Sequence, residues 1–238
     1  GVRNIKFVDE MFVLNKRHVL GICDRIIDRG YDLNIWAYAR VDTVKEEFLD
    51  KLNRAGIRWL ALGIESGSKH VRDGVEKGRF GTDAIIEVVR KIQAAGINVI
   101  GNYIFGLPDD THETMRETLQ LAIEAKCEFA NFYCAMAYPG SKLYDIAIQK
   151  NWSLPESWIG YSQHSFESRP LRTEALTAAE VLGFRDEAFL KYYQDESYIN
   201  FVTNKFGEDV ANHLKDMTKI KLRRELLENK GLTEVKVA

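Results

Sequence analysis

Cysteine is scarce in this chain of 238 residues: only Cys23, Cys127 and Cys134 occur, and they are scattered. Three scattered thiols argue against a disulfide framework, and the spacing of Cys127 and Cys134 matches no common zinc or iron–sulfur pattern. Buried structural thiols in a reducing, cytoplasmic setting are the expectation. Net charge is nearly absent, at −2, which gives no electrostatic reason to expect a nucleic-acid partner. No apolar run approaches the roughly 18 residues that a membrane span needs. The five histidines show no paired ligand spacing, and no serine elbow is present, which leaves histidine-bound metal and triad hydrolysis without support. The first residues, Gly1 to Phe7, read directly as a strand without an initiator methionine or signal peptide, so a piece of a longer protein is expected.

What the chain does have is a regular alternation of strand and helix patterns. Hydrophobic residues make up 45% and charged residues 29%, ordinary values for a soluble globular protein. Apolar strand runs fall at Ile5–Val8, Leu33–Ala39, Trp59–Ile64, Val99–Phe105 and Phe129–Ala137, with helical apolar spacing between them. Thr43, Thr82, Asp110 and Thr177 stand where helix caps are expected. Such alternation predicts an α/β fold: a partial parallel (β/α) barrel of about five strands over residues 1–150, then a helical extension over residues 151–238. In the extension, amphipathic segments are expected at Ile199–Phe206 and Val210–Leu227, with a frayed polar end from Asn229. A doubly wound sheet is the competing architecture. It calls for a glycine-rich phosphate loop after the first strand, where this chain has Asp9-Glu10-Met11-Phe12.

Barrel enzymes build their sites from the carboxyl ends of successive strands, so the strand endings carry the functional argument. Asp9 and Glu10 follow the first strand and could hold an ammonium group, although loop acids are more often solvated or capping. Arg40 ends the second strand; a guanidinium there suits an anionic ligand, and Asp42 offers it a structural ion pair instead. Glu65 closes the third strand inside Gly63-Ile64-Glu65-Ser66-Gly67, where flanking glycines permit close approach and a carboxylate could accept from vicinal hydroxyls. A helix cap is the plainer alternative for Glu65. Gly101 to Pro108 is a glycine-bounded strand with a rigid turn whose backbone groups could meet the edge of a purine; alone it reads only as a turn, as does Tyr138-Pro139-Gly140-Ser141.

Taken in order, these endings resemble the second to sixth strands of the radical S-adenosylmethionine (SAM) superfamily core, and are most similar to its cobalamin-binding members. The resemblance covers about residues 4 to 150. It implies that Asp9 and Glu10 lie near the SAM amino group and that Arg40, Glu65 and Ser66 face its polar groups. The Gly101–Pro108 strand, with Tyr103, Gly106, Leu107 and Pro108, would lie against the adenine. It further implies a [4Fe–4S] cluster, reductive cleavage of SAM to a radical, a small-molecule or biosynthetic-intermediate substrate, and an electron donor such as flavodoxin or ferredoxin. Cobalamin-dependent methyl transfer or ring formation would be among the outcomes. The family's Cys-x-x-x-Cys-x-x-Cys loop is absent from this sequence, so the chain alone is expected to be inactive. Asp109 also stands where the family's turn commonly has a further glycine. Two other readings stay open: a non-catalytic interaction module, and a non-radical barrel enzyme, against which counts the absence of any strand-ending lysine.

Overall fold

The computed structural model describes residues 1–74 and 81–228. The expected frayed end from Asn229 lies outside the described residues. Five strands form one sheet: β1 Asn4–Lys6, β2 Asn34–Arg40, β3 Ile57–Glu65, β4 Asn98–Phe105 and β5 Phe129–Cys134; β1 is shorter than expected and ends at Lys6, so a lysine does end a strand. Their spatial order is their chain order, and the pairings of β1 with β2, β2 with β3 and β3 with β4 are parallel. Each strand is followed by helix: α1 Lys16–Asp28, α2 Glu46–Arg54, α3 Lys69–Gly74 with α4 Thr82–Ala94, and α5 His112–Ala125. An order that never reverses is that of an open partial barrel. A doubly wound sheet reverses at a switch point, so that alternative falls.

The chain divides into two compact units, Gly1–Tyr103 with Gln120–Asn131, and Ile104–Leu119 with Phe132–Ala238. In the first unit the two faces of the sheet differ sharply. Ile35, Ala37 and Ala39 of β2 and Leu60, Leu62 and Ile64 of β3 are at most 3% exposed, as are Leu49 and Leu52 of α2 and Ile85, Val89 and Ile92 of α4. Burying each such large aliphatic side chain contributes about 1.5–3 kcal/mol, so this face is the unit's core. Of the alternate residues, Ala61 is fully buried, whereas Trp36, Tyr38, Arg40, Trp59 and Gly63 are only partly buried. That face is left for ligands or for further chain.

Helix starts depart in detail from the sequence expectation. Thr43 does not cap α2: its hydroxyl donates to the Arg40 carbonyl (2.9 Å) and accepts from the Arg40 amide (3.1 Å), closing a short 3₁₀ turn at Val41–Thr43. Gly81, not Thr82, is the cap of α4. Asp110 is displaced from capping α5, because Thr111 and Thr114 exchange amide-to-hydroxyl bonds there (2.9 and 3.3 Å). Thr177 does cap its helix, in a reciprocal box with Glu180.

The second unit contains α6 Lys142–Gln149, α7 Ala178–Tyr193, α8 Glu196–Phe206, α9 Glu208–Met217 and α10 Glu225–Glu228. Its core includes an aromatic chain in which Phe105 stacks on Phe132 (5.8 Å) and Phe132 meets Tyr192 edge-on (5.5 Å), which in turn packs on Tyr198 (4.5 Å). The expected continuous segment Val210–Leu227 is instead two helices. Between them the chain leaves helical geometry; Arg224 turns inward, and the Glu225 amide donates to the Phe166 carbonyl (2.9 Å). Arg224 is 1% exposed and donates to both carboxylate oxygens of Asp186 (2.9 and 3.0 Å) and to the carbonyls of Ser165 and Gln163 (2.8 and 3.0 Å). Gln163 in turn pairs its amide with both backbone groups of Cys134 (2.9 Å each), which satisfies the last residue of β5.

Candidate functional site

Asp9, Glu10, Arg40, Glu65 and Ser66 all belong to the first unit and all stand at or just past the carboxyl ends of three adjacent strands. The parallel register therefore brings them to one rim. Their states differ. Asp9 accepts from the Met11 amide (3.0 Å), a local turn bond that leaves its second oxygen outward, and Glu10 beside it is exposed. Arg40 is bound through two nitrogens to the Asp42 carboxylate (3.0 and 2.8 Å), with 36% and 41% of the two side chains exposed. The ion pair read from sequence is formed, and the guanidinium keeps part of its surface open.

Glu65 is the distinctive residue. Its φ is +68°, a left-handed backbone that a β-carbon makes costly, by roughly 1–2 kcal/mol. The strain arises where the β3–β4 register slips between Gly63 and Glu65, so that two residues of β3 oppose one of β4. The Ser66 amide donates to the Ile64 carbonyl (2.9 Å), which closes a tight turn around Glu65. The kink folds the carboxylate back over Gly63: a β-carbon at Gly63 would lie 2.9 Å from Glu65 Oε1. Glu65 is 9% exposed and Ser66 fully buried. The Ser66 hydroxyl accepts from the Ser68 amide (3.1 Å), and its carbonyl accepts from the buried Arg72 guanidinium (2.5 Å).

Tyr103, paired in register with Glu65, is fully buried on the helix-facing side. Its ring covers Gly101, where a β-carbon would come within 2.7 Å of it, and its hydroxyl meets Cys127 Sγ at 3.8 Å. Toward a ligand on the open face it presents backbone only. The residue of β4 that shares that face with Gly63 is Asn102, whose amide donates to the Leu62 carbonyl (3.2 Å) and accepts from Asn131 of β5 (2.9 Å). Sequence reading passed over this amide ladder. Its signal was a polar residue between Ile100 and Ile104 on one face of an otherwise apolar strand.

In the second unit, Gly106, Leu107 and Pro108 form the turn after β4. Gly106 has φ +79°, and a β-carbon there would meet Val181 Cγ1 at 2.6 Å, so glycine is required twice over. The amides of Gly106 and Leu107 both donate to Asp110 Oδ2 (3.0 Å each), and the Phe105 carbonyl accepts from Ala135 (2.8 Å). Those two amides are therefore committed within the turn. Asp110 is 1% exposed, and burial holds its carboxyl above the usual carboxylate range despite hydrogen bonds from Thr114 and the two amides.

The thiols do not suit a cluster. Burial pushes Cys23 up to about 11 and both Cys127 and Cys134 up to about 12, whereas metal ligation requires thiolate. Among the described residues no group of three or more histidine, cysteine or acidic side chains could hold a metal ion, and no helix is long and apolar enough to cross a membrane.

Comparison with known proteins places this geometry. The signature of the radical SAM superfamily matches residues 6–122. An uncharacterized methyltransferase, PH0819, of Pyrococcus horikoshii is 28% identical over 193 residues, which are 81% of this chain and 41% of that protein. The anaerobic magnesium-protoporphyrin IX monomethyl ester cyclase of Cereibacter sphaeroides is 25% identical over 205 residues, 84% of this chain and 32% of that protein. This chain thus spans less than half the length of either relative. Among solved structures, the cobalamin-dependent SAM radical enzyme OxsB with aqua-cobalamin superposes with a TM-score of 0.56 at 14% identity, over 91% of this chain and 38% of that one. The radical SAM methyltransferase TsrM of Kitasatospora setae, with cobalamin and a [4Fe–4S] cluster, superposes at 0.51 with 22% identity, over 56% and 28% of the two chains. At these identities the structures establish a shared fold. The strand-by-strand signatures, the unreversed open sheet and the matched segment agree on one family: residues 6–122 match the radical SAM superfamily as a partial barrel core.

Proposed function

We propose that this chain is the SAM-binding portion of a radical SAM enzyme whose cluster ligands lie outside the present sequence. The observation that carries the reading is Glu65. A nearly buried carboxylate held in left-handed backbone over a glycine, at a strand's carboxyl end, is a strained arrangement of the kind that clusters at ligand sites. It fits a ligand that offers hydroxyl donors, as the ribose of SAM does. Arg40 would meet an anionic group by sharing or exchanging Asp42, and Asp9 and Glu10 would meet the amino group. Tyr103 would contribute backbone.

Bound SAM supplies the family's chemistry, reductive cleavage of its carbon–sulfur bond. The residues here bind and orient it, and the nearly buried Glu65 keeps its hydrogen bonds largely out of water. A [4Fe–4S] cluster does not fit the cysteines present, so no step is assigned to this chain that passes through one, and the isolated chain is inactive on this reading. The reading extends to a small-molecule substrate, a flavodoxin- or ferredoxin-type electron donor, a cytoplasmic setting, and cobalamin in the complete enzyme. Support for cobalamin comes from the shared fold of two cobalamin-bound structures, and support for methyl transfer or ring formation from relatives named for those reactions.

Calorimetric titration of SAM into the chain and into Glu65→Gln tests it. Loss of a charge-assisted bond to a hydroxyl predicts about tenfold weaker binding in the variant, with the unfolding midpoint unchanged. Equal affinities, or no SAM binding to the unaltered chain, would refute the assignment of this rim.

A further inference from the structure

We infer that the opposite end of the first unit's sheet is a second binding site, one that takes a small aromatic molecule carrying an anionic group. A cavity of about 510 Å³ opens there, within the range of about 300–1,000 Å³ usual for small-molecule pockets. Its lining residues are the whole of the short β1 and residues from the amino-terminal halves of the other four strands. Trp59 lies six residues before Glu65, a separation of roughly 20 Å along β3 at the usual strand rise. This cavity is therefore distinct from the Glu65 rim.

The walls dictate the ligand class. Trp36, Trp59 and Phe129 supply broad apolar ring surface on which a planar molecule can stack. The Trp36 indole N–H is buried and has no hydrogen-bond partner among the described residues. A buried donor left in this state costs free energy, which a rotation of the indole toward an acceptor on a bound molecule would recover. Above the Trp36 ring, 4.3 Å from its centroid, sits the ammonium of Lys6, itself a lining residue. None of the nine lining residues is acidic, so the local field is positive without internal compensation. Apolar aromatic walls, one unused N–H donor and one cation together select an aromatic carboxylate or sulfonate. A single cation does not suit a polyphosphate.

The experiment titrates 1-naphthoate and uncharged 1-naphthalenemethanol into the full chain and its Lys6→Gln, Trp36→Phe and Glu65→Gln variants by calorimetry. Circular dichroism verifies that each variant is folded. Naphthoate is expected to bind the unaltered chain and the Glu65→Gln variant alike, about tenfold more weakly to Lys6→Gln, and measurably more weakly to Trp36→Phe; the alcohol is expected to bind more weakly than the acid. The inference is overturned if naphthoate does not bind, if acid and alcohol bind equally, or if neither Lys6→Gln nor Trp36→Phe changes affinity. A loss in Glu65→Gln equal to that in Lys6→Gln would also overturn it, by placing the molecule at the rim.

Discussion

Two arginines in this protein each grip one aspartate with two nitrogens, and they live in opposite circumstances. Arg40 and Asp42 sit two residues apart at a strand end, more than a third exposed. Arg224 reaches across 38 residues to Asp186, is 1% exposed, and has the Ser165 and Gln163 carbonyls as further acceptors. Solvent screens the first pair, so it contributes only about 0–1 kcal/mol and can trade its partner for a ligand at small cost. The second has exchanged water for four hydrogen bonds to protein acceptors, and nothing replaces them once lost. Commitment of the polar atoms, more than residue type or charge, separates a group that holds the fold from one that can serve chemistry.

The sharpest way to break this contrast is Arg224→Ala. It leaves Asp186 with Arg185 alone (2.8 Å) and removes the donor from two carbonyls. The expected loss of unfolding free energy is about 3–5 kcal/mol, read from urea denaturation. A loss under about 1 kcal/mol would mean that burial and bond count do not mark structural arginines here.

Asp110 comes next. Asp110→Ala strips the acceptor from the amides of Gly106 and Leu107 and from the Thr114 hydroxyl, and should cost about 2–3 kcal/mol. Asp110→Asn keeps an oxygen for the amides and removes the charge that burial disfavours. Because the folded-state pKa is raised, the folded protein holds the proton to higher pH than the unfolded chain does. This group's contribution to stability is thus fullest in acid and is lost as pH rises through the folded-state pKa. The advantage of Asp110→Asn over the unaltered protein should therefore grow from pH 4 to pH 7 in paired urea titrations. A constant difference would show that the carboxyl is not titrating as its burial requires.

The sequence made the architecture readable because apolar spacing and glycine stops are local signals, and each of the five strands falls within three residues of its expected ends. The rim residues Arg40 and Glu65 were visible for the same reason: they close strands. What pattern could not show was set by groups far apart in the chain. Asp110 looks like a helix cap until the turn before it claims one oxygen and Thr114 the other, and Arg224 looks like one more polar residue on an amphipathic helix until Asp186 is placed opposite it. The left-handed backbone at Glu65 was hidden too, since the register slip that creates it depends on the partner strand. Short-range periodicity carries the elements, while commitment of polar atoms is a property of the folded contacts.

The smallest expected effect sharpens the comparison most. Arg40→Gln removes the charge at the rim but leaves the backbone bonds between Arg40 and Thr43 in place, so stability should change by less than about 0.5 kcal/mol. On the proposed reading, SAM affinity should nevertheless fall severalfold, and the difference between the two proteins should shrink as salt rises, because an exposed ion contact is screened within about 10 Å at 0.1 M. Urea denaturation and SAM calorimetry at two ionic strengths measure both quantities on the same samples. A variant that loses stability and keeps its affinity would invert the assignment: the Arg40–Asp42 pair would then belong with Arg224, as a brace of the fold, and the rim would have to be built without it.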